Sequence, residues 1–168
     1  HLVTIFPLCW VTLRGGQSAS QFLWVQVAGA AVGLIGIILS GVFADKIGRP
    51  SQLMVGAFLI AVFSFTAPFL LDAGDKGQDA YILIGFFILG LSFGQSSGSV
   101  SARFGKYYRY TGSALTSDLA WLVGAAFAPL VALGLATTFG IIFIGGYLIS
   151  GALITLAAIS LSRVLDHN

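Results

Sequence analysis

The chain has 168 residues, of which 57% are hydrophobic and 8% charged, with a net charge of +2 and a mean hydropathy of +0.97. Soluble domains carry about 25% charged residues, so this composition excludes a water-soluble globular domain as well as a disordered chain. The apolar runs are about 20 residues long and lack the alternation of β-barrel strands, so they predict transmembrane helices. We therefore predict an all-α, polytopic membrane protein.

The polar side chains offer little for enzyme chemistry. The sequence has no glutamate, its histidines are His1 and His167 at the two ends, and its single cysteine is Cys9. Metalloenzymes, proteases and redox proteins need clustered His, Cys or carboxylate groups. We predict no catalytic residues, no metal site, no cofactor and no enzyme activity. A net charge of +2 is also too small to indicate a nucleic-acid partner.

Apolar runs separated by short polar breaks extend along residues 1–168, and we predict that they form one transmembrane domain. Each bilayer crossing takes about 20 residues. The first thirteen residues are apolar but too short to cross, so we expect them to be the end of a preceding helix in a longer protein. The predicted segments are a remnant at 1–13 and spans at about 21–44, 52–71, 80–102, 111–136 and 141–162.

Basic residues are unevenly divided between the two sides of the predicted spans. Six of the eight lie in alternate connections or at the C-terminus, whereas Arg14 and Lys76 lie on the other side with three aspartates. Because basic loops stay in the cytoplasm, the C-terminus is predicted to be cytoplasmic. The six are Lys46, Arg49, Arg103, Lys106, Arg109 and Arg163.

The 80–102 span is the most polar of the five. Ser92, Ser96 and Ser99 share one helix face, which Gln95 flanks. One interpretation is that these four side chains line an aqueous cavity and contact substrate, since polar groups in lipid require partners or water. The alternative is that the serines replace alanine as small packing residues and bond their own backbone.

Asp118 is the one carboxylate well inside a predicted span. An intramembrane acid is costly and is a functional candidate by default. We consider two roles for it, as a proton-coupling residue or as the partner of Arg103 or Arg109 in an ion pair.

Several other residues carry structural expectations. Gln26 is expected to form a helix–helix hydrogen bond, and the Gly29/Gly33 pair is expected to pack helices. Pro68 and Pro129 are expected to interrupt or kink their spans.

A compact motif ends the 21–44 span and opens the next connection. It consists of Gly41, Asp45, Lys46, Gly48 and Arg49. Gly41 is expected to permit close helix approach, and Gly48 to let the short loop turn. Asp45 is placed to accept hydrogen bonds from the N-terminus of the next helix.

This motif resembles the loop signature of the major facilitator superfamily, G-x-x-x-D-[RK]-x-G-[RK]-[RK], and departs from it at Pro50, where a second basic residue is usual. The stretch Arg103–Leu115, with its Arg-Tyr-Thr-Gly sequence, resembles the helix 10–11 loop of the metabolite:proton symporters. Ala128-Pro129 also resembles their helix 11. Sugar porters are the second most similar subfamily.

The resemblance implies the C-terminal six-helix half of a major facilitator transporter, with helix 7 truncated. It implies proton-coupled symport of a small polar metabolite by alternating access across the cell's inner (plasma) membrane. The partners would be the metabolite, the proton, the lipid bilayer and the missing N-terminal half. The alternatives are a sugar-porter-like facilitator, or a non-transporting fragment or scaffold from a truncated transporter gene.

Overall fold

The computed structural model describes residues 2–14, 18–102 and 104–166, and these ranges contain helices and no strand. Four of the helices are long and apolar enough to cross a membrane. The predicted all-α, polytopic fold is therefore confirmed. The helices are α1 (Phe6–Arg14), α2 (Ala19–Ile47), α3 (Arg49–Asp72), α4 (Gly74–Ser101), α5 (Arg109–Ala120), α6 (Ala128–Thr138) and α7 (Ile142–Asp166), with a π-helical turn (Trp121–Ala125) between α5 and α6.

A single residue, Gly48, joins α2 to α3. Its φ of 82° lies in the left-handed region that glycine adopts without a steric penalty. The Gly48 N–H donates to Ala44 O at 2.9 Å, and Gly48 O accepts from Gln52 N at 3.0 Å. Pro50 follows in the first turn of α3, where its missing N–H costs nothing. The motif therefore folds as a tight reversal between two long helices.

The predicted span at 111–136 is divided into three pieces. The Ala126 N–H donates to Trp121 O at 3.1 Å, a hydrogen bond across five residues that closes the π turn. Pro129 lies at the start of α6 and has no N–H with which to continue the α-helical ladder. Pro129 thus marks the interruption as expected, whereas Pro68 lies within the continuous helix α3.

Helices α2 and α4 form the most extensive interface of the fold. A methyl group on Gly36 would lie 2.6 Å from Phe87 O, and one on Gly90 would overlap Gly33 O. The two backbones therefore touch without intervening side chains, as small residues allow in membrane helices. The buried Ser40 hydroxyl crosses the same interface and donates to Leu91 O at 2.7 Å.

The hydrophobic core lies toward the end of the bundle that carries the connection between α3 and α4. There α1, the start of α2, the end of α3 and the start of α4 meet the end of α6 and the start of α7. At the opposite end, α5 has no buried residue. The core side chains are Phe6, Trp10, Val11, Phe22, Phe63, Ala67, Leu71, Tyr81, Ile82, Ile88, Ala132, Ala136 and Ile144.

The α2–α4 interface makes a testable prediction. Gly90→Leu should destabilise the chain by about 1–3 kcal/mol, because the added side chain must push two backbones apart. Gly134→Leu is the matched control, since a Cβ at Gly134 meets no atom within 4 Å. Thermal unfolding in detergent should show a lower midpoint for Gly90→Leu only. Equal midpoints for the two variants would contradict the close packing described here.

Candidate functional site

The loop motif lies at the end of the bundle away from the hydrophobic core. Asp45, Lys46 and Arg49 are exposed around the Gly48 reversal. The N-cap residue of α3 is Gly48, which has no side chain with which to cap the helix, and the role expected for Asp45 there stays a prediction. A Cβ on Gly41 would meet no atom within 4 Å, so the expected close helix approach at Gly41 is not found among the described residues. Of the three local expectations, only the turn at Gly48 is observed.

Arg49 reaches from this loop to the last turn of α4. A Cβ on Gly98 would lie 2.6 Å from Arg49 Nη1 and 3.1 Å from Cζ, so the guanidinium occupies the space that a side chain at position 98 would need. Carbonyl groups at a helix C-terminus carry partial negative charge, which favours a neighbouring cation. Arg49 thus joins the loop between α2 and α3 to the end of α4.

The predicted cavity residues of α4 lie in different surroundings. Ser92 packs where Gly56 of α3 has no side chain, and its buried Oγ has no hydrogen-bond partner within the described residues. Gln95 is buried, with 8% of its surface exposed. The half-buried Ser96 donates to Phe93 O of its own helix at 2.9 Å. The Ser99 side chain lies outside the described part of the chain. The cavity role of these four residues stays a prediction.

Asp118 is exposed on α5, as is Arg109 at the start of the same helix. Nine residues separate them, which is about 14 Å along a continuous helix and beyond the reach of an ion pair. Arg103 lies outside the described residues. Asp118 therefore lies on an exposed face of α5. Its two predicted roles, in proton coupling and in an ion pair, both stay predictions.

A cavity of about 480 Å³ lies near the midpoints of α3, α4 and α7. Its wall is mainly apolar and includes Ile60, Ile88 and Gly124 of the π turn. The polar side chains in the wall all belong to α7: Tyr147, Ser150 and Thr155. Ser150 and Thr155 donate to carbonyl groups of their own helix, at 2.7 and 2.9 Å. The lining residues that the structure describes include no charged group, and such a wall suits a neutral or apolar molecule better than a charged one.

Sequence reasoning missed the part that α7 and the π turn play in this cavity. Among the glycines of α7, a Cβ on Gly145 would contact Ser64 O at 2.6 Å, whereas one on Gly151 would meet open space. Composition alone cannot separate a glycine that packs from one that opens a cavity. The helix–helix hydrogen bond predicted for Gln26 is not what is observed, since its Nε2 donates to Thr4 O, in the turn that precedes α1.

The fold and its charge distribution define the class of protein to which the chain belongs. The chain is a polytopic α-helical membrane protein with one end rich in basic residues and the other in aspartates. It is 33% identical over 149 residues to a putative metabolite transport protein of Haemophilus influenzae, covering 88% of this chain and 34% of the relative. It is 28% identical over 174 residues to the inner membrane metabolite transport protein YhjE of Escherichia coli K12, covering 99% and 39%. A second Haemophilus influenzae putative metabolite transport protein is 31% identical over 145 residues, covering 86% and 32%.

The chain is thus a homologue of metabolite transport proteins and spans about a third of the length of these curated relatives. The relationship confirms the predicted resemblance to metabolite transport proteins. It also agrees with the resemblance to the major facilitator superfamily drawn from Gly41–Arg49. No protein-family profile matches the chain. No solved structure matches it either.

The contact between Arg49 and Gly98 can be tested with a double-mutant cycle. Arg49→Gln should lose about 0.3–1 kcal/mol of stability, because it removes a cation from the end of α4. Gly98→Leu should displace the same guanidinium, so the two changes together should cost less than their sum. Chemical unfolding in detergent measures the four proteins. Strictly additive losses would show that Arg49 gains nothing from its position beside Gly98.

Proposed function

We propose that this chain is half of a secondary active transporter of the inner membrane. In this proposal it works with a preceding half and carries a small polar metabolite together with a proton by alternating access. The observation that carries the proposal is that the chain aligns, along 86–99% of its length, with proteins named for metabolite transport. That YhjE is named an inner membrane protein supports the location.

The exposed surface of α5 supports a second half. Its residues include Thr111, Thr116 and Asp118, and none of its side chains is buried in this chain. In this proposal α5 belongs to a fifth segment that crosses the bilayer, where polar groups face protein or water rather than lipid. An opposing half would provide protein contacts for this surface, and an aqueous cavity between the two halves would provide water, as in transporters built from structural repeats.

The packing of α2, α3 and α4 supports movement of this half as one body. Gly48 joins α2 to α3, backbone contact joins α2 to α4, and Arg49 links the α2–α3 loop to α4. Alternating access by rocking needs such a rigid unit on each side of the substrate. The π turn next to α5 interrupts the segment that we propose as the fifth crossing, so it is our candidate for the place where the surface facing the cavity adjusts.

The orientation is tested by labelling single cysteines in a Cys9→Ala background. We propose that the basic end faces the cytoplasm, because basic loops are retained there. Lys76→Cys and Gly105→Cys are suitable positions, since both residues are exposed at opposite ends of the bundle. In intact cells an impermeant maleimide should label position 76, and position 105 should react only after permeabilisation. The reverse pattern would overturn the orientation.

Asp118 is the proposed coupling residue, and its role is tested in the two-half protein in proteoliposomes. Asp118→Asn cannot release a proton, so uptake driven by a pH gradient should fall at least tenfold. Exchange of substrate across the membrane should continue, because exchange requires binding and rocking but no net proton release.

Asp75→Asn is the matched control, since Asp75 is exposed at the start of α4 at the opposite end of the bundle. It should leave both activities unchanged. Gradient-driven uptake at the normal rate by a well-expressed Asp118→Asn protein would rule out the coupling role. Loss of both uptake and exchange would assign Asp118 to binding or structure instead.

A further inference from the structure

The connection between α4 and α5 presents a cluster of exposed aromatic and basic side chains. Tyr107, Tyr108 and Tyr110 are 95%, 73% and 91% exposed. Lys106 and Arg109 lie between and beside them and are exposed as well. We call residues 106–110 the basic-aromatic rim. Three exposed tyrosines in five residues need an explanation other than packing within this chain.

The local fold turns these side chains outward. Phe104 lies so close to Gly112 that a Cβ there would be 2.5 Å from its ring, which pins the connection against α5. Phe104 N donates to Ser101 O at 3.3 Å, and Tyr108 N donates to Gly105 O at 3.0 Å. Phe104 therefore packs against α5, and the tyrosines and basic residues that follow it remain exposed.

The rim follows α4, one of the helices long and apolar enough to cross a membrane, so we expect the rim where the chain leaves the bilayer. The contact of Arg49 with Gly98 places the basic loop at Gly48 at the same end of the bundle. Lys46 and Arg49 add positive charge there. From residue 102 to residue 117 the sequence contains no carboxylate, so no acidic side chain of this connection neutralises the rim.

We propose that the basic-aromatic rim binds the phosphate headgroups of anionic phospholipids. Arginine matches phosphate oxygens with paired N–H groups, and lysine adds a compact charge. Tyrosine suits the membrane–water interface, since its ring lies among the headgroups and acyl carbonyls while its hydroxyl hydrogen-bonds. Basic side chains next to tyrosine rings therefore suit a phosphate headgroup that is held at the membrane surface. The proposal requires only that the chain spans a bilayer, and it goes beyond transport.

The test counts lipids retained by the whole chain in native mass spectrometry from detergent. The probes are phosphatidylglycerol and phosphatidylcholine of identical acyl chains. The wild-type chain should retain phosphatidylglycerol preferentially. The Lys106→Gln/Arg109→Gln variant should weaken that preference on the order of tenfold, since each basic residue at the surface contributes to attraction of anionic lipid.

Lys76→Gln is the matched control, because Lys76 is an exposed lysine at the opposite end of the bundle. It should retain the wild-type preference. A Tyr107→Phe/Tyr110→Phe variant, which keeps both rings and loses both hydroxyls, should show an intermediate preference. Helix content by circular dichroism confirms that each variant is folded before lipids are compared.

Three outcomes would overturn the proposal. Equal retention of the two lipids would show that the rim does not distinguish headgroup charge. An unchanged preference in the Lys106→Gln/Arg109→Gln variant would place the lipid elsewhere. Full displacement of phosphatidylglycerol by millimolar glycerol 3-phosphate would show that the rim recognises a soluble phosphoester rather than a lipid in the membrane.

Discussion

Close contact between the backbones of α2 and α4 is the constraint on which the rest of this structure depends. Lipid is as apolar as leucine, so burial of leucine gives helices no net reason to associate within a bilayer. Gly33, Gly36 and Gly90 remove the side chains that would separate the two helices. Dispersion contacts then extend along the whole interface, and the Ser40 hydroxyl adds a hydrogen bond to it. α3 is held to this pair by the Gly48 link and by Arg49.

Packing is uneven along the bundle axis, and this asymmetry connects the fold to its proposed role. Near the connection between α3 and α4, six helices meet around Phe63, Tyr81 and Ile82. At the other end, α5 leaves the group and has no buried residue. A transporter half needs both regions, one to hold the helices together and one to face a changing partner or water. The carboxylate of Asp118 lies in the exposed region.

Hydropathy was enough to predict an all-α polytopic bundle, because only helices satisfy backbone groups within one apolar segment. The sites were less predictable, since they depend on which face of each helix meets a neighbour. Gly41 and Gly90 look alike in the sequence, yet only Gly90 touches another backbone. Ser92 shares a face with Ser96 by periodicity, but it packs against Gly56 of α3. The π turn depends on one shifted hydrogen bond that no residue pattern near Trp121 specifies.

That shifted hydrogen bond also determines how far the side chains of α6 are rotated about the helix axis relative to those of α5. Fourteen residues separate Asp118 from the fully buried Ala132, and in an uninterrupted α-helix they would lie within about 40° of each other. A π turn accommodates one extra residue, which offsets the two halves by about 100°. The carboxylate is thereby turned away from the side on which Ala132 packs. A return of residues 121–125 to α-helical hydrogen bonding, with no residue lost, would cancel this offset and direct an acidic group toward the apolar interior.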